Sequence, residues 1–170
     1  MKWIGALLFI AATTWVGLEW SNRLSSRPRH IRQLKNALQI LEAEMLYSQL
    51  SLEQAFRNIS RQVPLPISSF FDGMSQEMQG ELNDFIRVWE KHVKQLVRRS
   101  CLSSNEEEIL LQFGRTLGQH DFRQQQKHIQ LTGSHLQREL EEARDLQWRY
   151  SKMAKSLGLL GGLFIVLLLL

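Results

Sequence analysis

Residues that crosslink, kink or stiffen a chain are scarce in this sequence. Among its 170 residues there are one cysteine and three prolines. A single cysteine excludes an internal disulfide and suits a protein of a reducing compartment. The chain also lacks the Gly-bounded stretches of alternating β-branched residues that indicate strands, and its apolar residues recur at helical spacing instead. We therefore expect an all-α protein.

Residue patterns that carry catalysis or bind cofactors are also missing from the sequence. There is no Gly-rich phosphate-binding loop, and Cys101 belongs to no recognisable motif. His128 and His135 lie a heptad apart on one predicted helix, which is not the spacing that puts two imidazoles on one metal ion. The sequence therefore predicts that the protein is not an enzyme and has no metal site, cofactor or small-molecule substrate.

Both ends of the chain are apolar. Residues 3–18 carry no charge, and neither do residues 156–170, where glycines and one serine interrupt the aliphatic run. Helices of these lengths come close to the ~30 Å needed to cross a hydrocarbon core. Trp3 and Trp20 would lie about 25 Å apart along a helix, which is the spacing expected of aromatic anchors at two membrane faces.

These apolar ends divide the chain into three segments. We expect transmembrane helices over 1–22 and 151–170, flanking one domain over 23–150. A central segment of roughly 125 residues suffices for one domain with its own core, and not for two. A cleaved signal peptide is the less favoured alternative for the first segment, because the small-residue cleavage pattern is missing.

Basic residues flank both apolar ends on the side of the central domain. Because such residues stay in the cytoplasm, the domain is predicted to be cytoplasmic, with both termini outside the membrane. The same residues favour contact with anionic lipid headgroups. Nucleic-acid binding is less favoured, because no basic stripe within the domain is interleaved with aromatics. The basic residues are Arg23, Arg27, Arg29, Arg32 and Lys35 after the first segment, and Arg144, Arg149, Lys152 and Lys155 before the uncharged run 156–170.

Helical periodicity and capping signals predict that the domain is a compact helical bundle. In its first helix, Ile31 and Leu34 begin an apolar stripe with three-four spacing. Ser51, and Ser103 together with Glu106, have the spacing of N-terminal helix caps. Each cap predicts the start of a further helix.

The last helix is predicted to be long. Gly118 is predicted to stop the preceding helix and Asp121 to cap the last one, and no breaker separates the last helix from the apolar C-terminal run. We expect one rod of about 50 residues, roughly 75 Å long, that continues into the membrane segment. Within that segment Gly158, Gly161 and Gly162 are small residues of the kind that let membrane helices pack closely.

Two acidic residues of the first helix are candidates for contact with a partner. Glu42 and Glu44 lie in "LEAEMLY", and Glu44 falls within an apolar stripe. A salt bridge to a neighbouring helix, or a stripe that has already reached the surface, would explain this position without a partner. Contact with another protein is the alternative hypothesis.

Four blocks of the sequence together resemble a known family. The resemblance to stage III sporulation protein AB of endospore-forming bacteria runs over nearly the whole chain and is strongest in "ATTWVGLEW", "RPRHIRQLKNALQILEAEMLY", "FGRTLGQHDFRQQQKHIQLT" and "KSLGLLGGLFIVLLLL". The segments around "SLEQAF" and "LGQHD" are also similar to the cytoplasmic helical domain of the platform protein of type II secretion and type IV pilus systems. That wider group usually has two such domains and more membrane helices.

The resemblance implies a non-enzymatic platform or assembly subunit of a secretion-like channel, in the mother cell membrane that faces the forespore. Implied partners are other membrane subunits of the channel and a cytoplasmic secretion-type ATPase. Two alternatives stay open. One is a membrane-anchored signalling module, which would need a ligand-binding part outside the membrane, and the other is a helical module that binds lipid through its basic flanks.

Overall fold

All regular structure in the described part of the chain is helical, which confirms the all-α prediction. The computed structural model describes residues 26–45, 50–78, 85–117 and 122–169, with the side chains of the last helix described from Arg123 to Met153. Helix α1 covers 26–43 and closes with a π turn at 44–45. The following helices are α2 (Leu52–Gln62), α3 (Ile67–Glu77), α4 (Phe85–Arg99), α5 (Ser104–Thr116) and α6 (Phe122–Leu169).

Two predicted caps begin helices in the structure. The Ser51 hydroxyl accepts a hydrogen bond from the Gln54 amide, 3.4 Å away, at the start of α2. Ser103 and Glu106 form the predicted capping box at the start of α5, where the Glu106 carboxylate accepts the Ser103 amide at 2.5 Å. Such side chains satisfy amides that the first helical turn leaves without partners, so the two helices begin where the sequence indicates.

Aromatic rings fill the centre of the bundle around Trp89 of α4. The centroid of the Trp89 ring lies 5.1 Å from that of Phe70 in α3 and 5.8 Å from that of Phe113 in α5. Phe56 of α2 approaches from a third side, with its centroid 6.0 Å away. The indole nitrogen donates a 2.7 Å hydrogen bond to the Leu110 carbonyl, which satisfies the only polar atom of the ring. One side chain therefore joins four helices.

Helices α1 and α6 run antiparallel and are held together by polar contacts. Near the start of α1, Arg27 donates a 2.9 Å hydrogen bond to Glu139. Near the end of α1, Glu42 accepts hydrogen bonds from Gln126 at 3.1 Å and from Gln130 at 2.8 Å. The start of α1 therefore lies beside the middle of α6, and the end of α1 lies beside the first turns of α6.

Helix α6 is a single rod of 48 residues, which confirms the predicted continuity between the domain and the apolar C-terminal run. At 1.5 Å per residue this rod is about 70 Å long. Gly158, Gly161 and Gly162 lie within its helical backbone. Gly133 also lies in the rod, and a Cβ added there would meet no atom within 4 Å. Gly133 therefore neither breaks the helix nor packs closely against another one.

Within the described ranges, no helix has both the length and the apolar composition needed to cross a membrane. The predicted span over 1–22 lies outside those ranges, and so do Gly118 and Asp121. For the predicted span over 151–170, the structure describes a helical backbone to Leu169 and side chains only as far as Met153. Both spans therefore stay predictions.

Candidate functional site

Three elements meet at one end of the bundle, which we call the basal end: the start of α1, the connection between α4 and α5 (100–103), and residues 139–146 of α6. Arg27 of α1 joins them. Its Nη2 atom lies 2.7 Å from Glu106 Oε1 of α5 and 2.9 Å from Glu139 Oε2 of α6. The Arg27 side chain is 19% exposed and that of Glu106 is fully buried. The Arg27 side chain thus connects α1 to both α5 and α6.

Glu106 accepts hydrogen bonds through both of its carboxylate oxygens. Oε1 receives two N–H groups of Arg27, and Oε2 receives the amide and the hydroxyl of Ser103. A charge taken out of water is tolerated only where a partner and hydrogen bonds replace the lost hydration. Arg27 supplies the partner charge, and Arg27 and Ser103 supply the hydrogen bonds. The stability of the basal end therefore depends on the contacts of Glu106 with these two residues.

A histidine of α1 contacts the connection between α4 and α5. The Nδ1 atom of His30 accepts a hydrogen bond from the Cys101 amide at 3.2 Å. Burial lowers the pKa of His30 below its ordinary value of 6.5, and the charge of Arg29 lowers it further. Because a protonated Nδ1 cannot accept a hydrogen bond, the neutral imidazole is the form that joins these two elements.

We predict that this contact makes the stability of the domain depend on pH. Since the pKa of His30 is lower in the folded than in the unfolded chain, protonation favours unfolding; the contribution of His30 is complete above about pH 6.5 and is lost as the pH falls through the folded pKa. In His30→Asn, an amide replaces the imidazole as a non-titrating acceptor. Thermal unfolding followed by circular dichroism from about pH 7.5 to about pH 5 should therefore show a smaller fall in midpoint for the variant. Equal falls in both proteins would contradict the prediction.

The basal end also contains an open groove of about 540 Å³. Its lining includes the apolar side chains of Leu102, Ala143 and Leu146, and the charged side chains of Arg98 and Arg99 from the last turn of α4. Both arginines are exposed, and neither forms an ion pair with another residue that the structure describes. The groove therefore combines an apolar floor with two available positive charges.

Beyond the basal end, α6 exposes large side chains. Trp148 is 68% exposed, Tyr150 45% and Met153 53%. The Lys152 Nζ atom lies 4.8 Å from the centroid of the Trp148 ring, which is a cation–π contact. Exposed Trp and Tyr beside basic residues are typical of the zone where a membrane surface meets water.

The two candidate partner-contact residues lie against neighbouring helices. Glu42 is half-buried and accepts its hydrogen bonds from two glutamines of α6. Glu44 lies in the π turn after α1, where its Oε1 atom accepts a 3.3 Å hydrogen bond from Asn58 of α2. Each acid has an internal partner, which accounts for an acid within the apolar stripe, while contact with another protein stays a prediction.

No group of three His, Cys, Asp or Glu side chains placed to hold a metal ion occurs among the described residues.

His92 is buried against Gly73, and its Nε2 atom lies 3.3 Å from Glu77 Oε1. Lys91 donates a 2.7 Å hydrogen bond to the same oxygen, which lowers the pKa of Glu77. These contacts join α4 to α3.

Two features of the basal end were not predicted from the sequence: the ion pair between Arg27 and Glu106, and the groove. From the sequence, Arg27 belongs to a basic flank beside the membrane and Glu106 belongs to a capping box. Their ion pair joins positions 79 apart, and no local spacing indicates such a pairing. The groove likewise is lined by residues of both α4 and α6, so the role of Arg98 and Arg99 in its lining could not be read from either helix alone.

Comparisons with known proteins identify the family of this chain. Residues 2–170 match the family described as stage III sporulation protein AB. A stage III sporulation protein AB of Bacillus subtilis (strain 168) is 41% identical over 169 residues, which cover 99% of each chain. A solved structure of a stage III sporulation protein AB is similar with a TM-score of 0.68 and 39% identity, covering 73% of this chain and 98% of that chain. The chain therefore belongs to the stage III sporulation protein AB family.

Proposed function

We propose that this chain is a non-enzymatic, membrane-anchored platform or assembly subunit of a secretion-like channel complex required during endospore formation. Its family membership supports the sporulation role. In this proposal the segments 1–22 and 151–170 cross the mother cell membrane that faces the forespore. The domain over 23–150 is cytoplasmic, and both termini lie outside the membrane.

The observation that carries the proposal is the antiparallel pairing of α1 and α6. Helix α1 follows the first apolar segment in the sequence, and α6 continues into the second. The contact between Arg27 and Glu139 brings the start of α1 beside the part of α6 that precedes the apolar run. The chain therefore enters and leaves the bundle at the basal end, as two anchors in one bilayer require.

The proposed partners are other membrane subunits of the channel and a cytoplasmic secretion-type ATPase. Anionic lipid headgroups are proposed to contact the basic flanks, where Arg29 and Arg32 of α1 and Arg144 and Arg149 of α6 are exposed. Arg27 is not available for such contact, because it is bound to Glu106 and Glu139.

Charge reversal at Glu44 tests the partner contact in this proposal. We expect Glu44→Lys to lower the yield of heat-resistant spores by about tenfold or more, because a like-charge contact in an interface costs several kcal/mol of binding. The control is Glu53→Lys on α2, where the carboxylate is ion-paired with Arg57 at 3.2 Å. The control makes the same charge change elsewhere and should sporulate normally.

Two measurements make this test decisive. Circular dichroism of the purified Glu44→Lys protein shows whether the fold survives the loss of the Asn58 hydrogen bond. Immunoblots of sporulating cells show whether the variant reaches the wild-type level. A folded variant at the wild-type level that sporulates normally would remove Glu44 as a partner contact.

A further inference from the structure

We propose that the groove at the basal end binds the headgroup phosphate of an anionic phospholipid from the surrounding membrane. Arg98 and Arg99 contact the phosphate, and Leu102, Ala143 and Leu146 contact the glycerol backbone and the first acyl carbons. This inference rests on the proposed function, because it requires the basal end to face a bilayer.

The charges of the groove are available to bind an anion. Arg98 and Arg99 are exposed and have no ion-pair partner within the described ranges. Arg27 also lines the groove, but its guanidinium is bound to Glu106 and Glu139 and serves to hold the wall in place. Among the described residues, no Asp or Glu lines the groove to cancel the positive charge. The planar guanidinium presents paired donors that match the oxygens of a phosphate.

The apolar part of the groove favours a lipid over a free anion. Leu102 is 7% exposed and Ala143 3% exposed, so both belong to the floor rather than to the rim. Leu146 is half-buried beside them. A volume of about 540 Å³ lies within the range of sites for organic ligands, and leaves room for more than one phosphate ion. Apolar surface next to a phosphate site is what a glycerophospholipid covers and an inorganic ion does not.

The groove also lies at the depth of the headgroups. If 151–170 spans the hydrocarbon core, Leu146 lies about 7.5 Å outside it along α6, at 1.5 Å per residue. The headgroup layer on each side of a bilayer is about 5–8 Å thick. The exposed Trp148 and Tyr150 lie between the groove and the core, where aromatic side chains are enriched in membrane proteins. With this span, the Leu146 end of the groove lies level with the headgroups of the cytoplasmic leaflet.

Cys101 lines the same groove and is the only thiol of the chain, so its reactivity reports whether the groove is filled. The full chain is reconstituted in nanodiscs of phosphatidylcholine alone and in nanodiscs that also contain phosphatidylglycerol. The rate of reaction with N-ethylmaleimide, an uncharged reagent, is then measured. In the phosphatidylglycerol discs we expect the wild type to react at about one fifth of its rate in phosphatidylcholine discs, or more slowly still. The R98Q/R99Q variant should react equally fast in both.

Two controls separate the groove from the membrane surface and from free anions. Arg61→Gln removes an exposed arginine from the last turn of α2 and should behave like the wild type. Inorganic phosphate added to phosphatidylcholine discs should not slow the reaction, and protection by phosphate would overturn the lipid assignment. Slowing that persists in R98Q/R99Q would come from the charged surface alone and would overturn it as well.

Failure of this inference and failure of the proposed function give different results. Entry into the discs is measured first, by co-elution of the protein with the discs. A chain that stays outside the discs would contradict the proposed anchoring and the lipid site together. A chain that enters the discs but whose Cys101 reacts equally fast in both kinds would contradict the lipid site alone.

Discussion

Replacing Glu106 with alanine is expected to lower the free energy of unfolding by about 3–5 kcal/mol, the range for removing one partner of a buried ion pair. Among the described residues, the substitution leaves the part-buried Arg27 with Glu139 as its one remaining carboxylate partner. It also removes the acid of the capping box at the start of α5. The midpoint of thermal unfolding, followed by circular dichroism of the full chain in mild detergent, should fall by on the order of 10 °C.

Two variants show whether this loss comes from the ion pair. Glu107→Ala removes the neighbouring acid of the same first turn, which has no hydrogen bond to Arg27, and should shift the midpoint by no more than about 2 °C. The double variant R27A/E106A should lose less than the sum of its two single variants, because it lacks the buried Glu106 carboxylate that R27A alone leaves without a cation; Glu139 loses Arg27 in R27A and in the double variant alike. Additive losses would contradict the coupling between Arg27 and Glu106.

Gly114→Ala and Gly133→Ala are expected to change stability in opposite directions. A Cβ at Gly114 would overlap the Trp89 ring, with its Cγ atom 2.6 Å away, and the ring is held by aromatic neighbours on several sides. Overpacking of this kind should cost about 2–3 kcal/mol. At Gly133 a Cβ meets nothing within 4 Å, so the same substitution should stabilise α6 by about 0.5–1 kcal/mol through helix propensity.

Chemical denaturation of the two glycine variants measures this difference directly. Both sites are helical, so the intrinsic preference for alanine is the same and only the surroundings differ. The denaturant midpoint should fall for Gly114→Ala and rise for Gly133→Ala. Two variants with equal midpoints would show that Trp89 can move away, and would contradict the tight packing of α4 on α5.

Local chemistry explains the parts of the fold that the sequence predicts. Ser51 and Ser103 begin helices because a hydroxyl can satisfy an amide within its own turn, whatever the rest of the fold does. Ile31 and Leu34 are buried because three-four spacing places them on one face of α1. The length of α6 follows from the lack of a breaker between the domain and the apolar run.

Pairing between distant segments explains the parts that the sequence does not predict. Glu106 reads as half of a capping box, and only the approach of α1 makes it half of a buried ion pair as well. Glu44 reads as an acid out of place in an apolar stripe, and Asn58 on another helix accounts for it. The groove exists only where the start of α1, the end of α4, the connection over 100–103 and α6 converge. Periodicity and capping carry no information about such convergence.

A crosslinked pull-down from the membranes of sporulating cells tests the central claim most directly. The full-length tagged protein is crosslinked in intact cells, purified, and its partners are identified by mass spectrometry, with an untagged strain as control. The proposed platform role predicts recovery of a secretion-type ATPase together with small membrane subunits. Recovery of this chain alone, at a yield that would reveal a stoichiometric partner, would contradict that role.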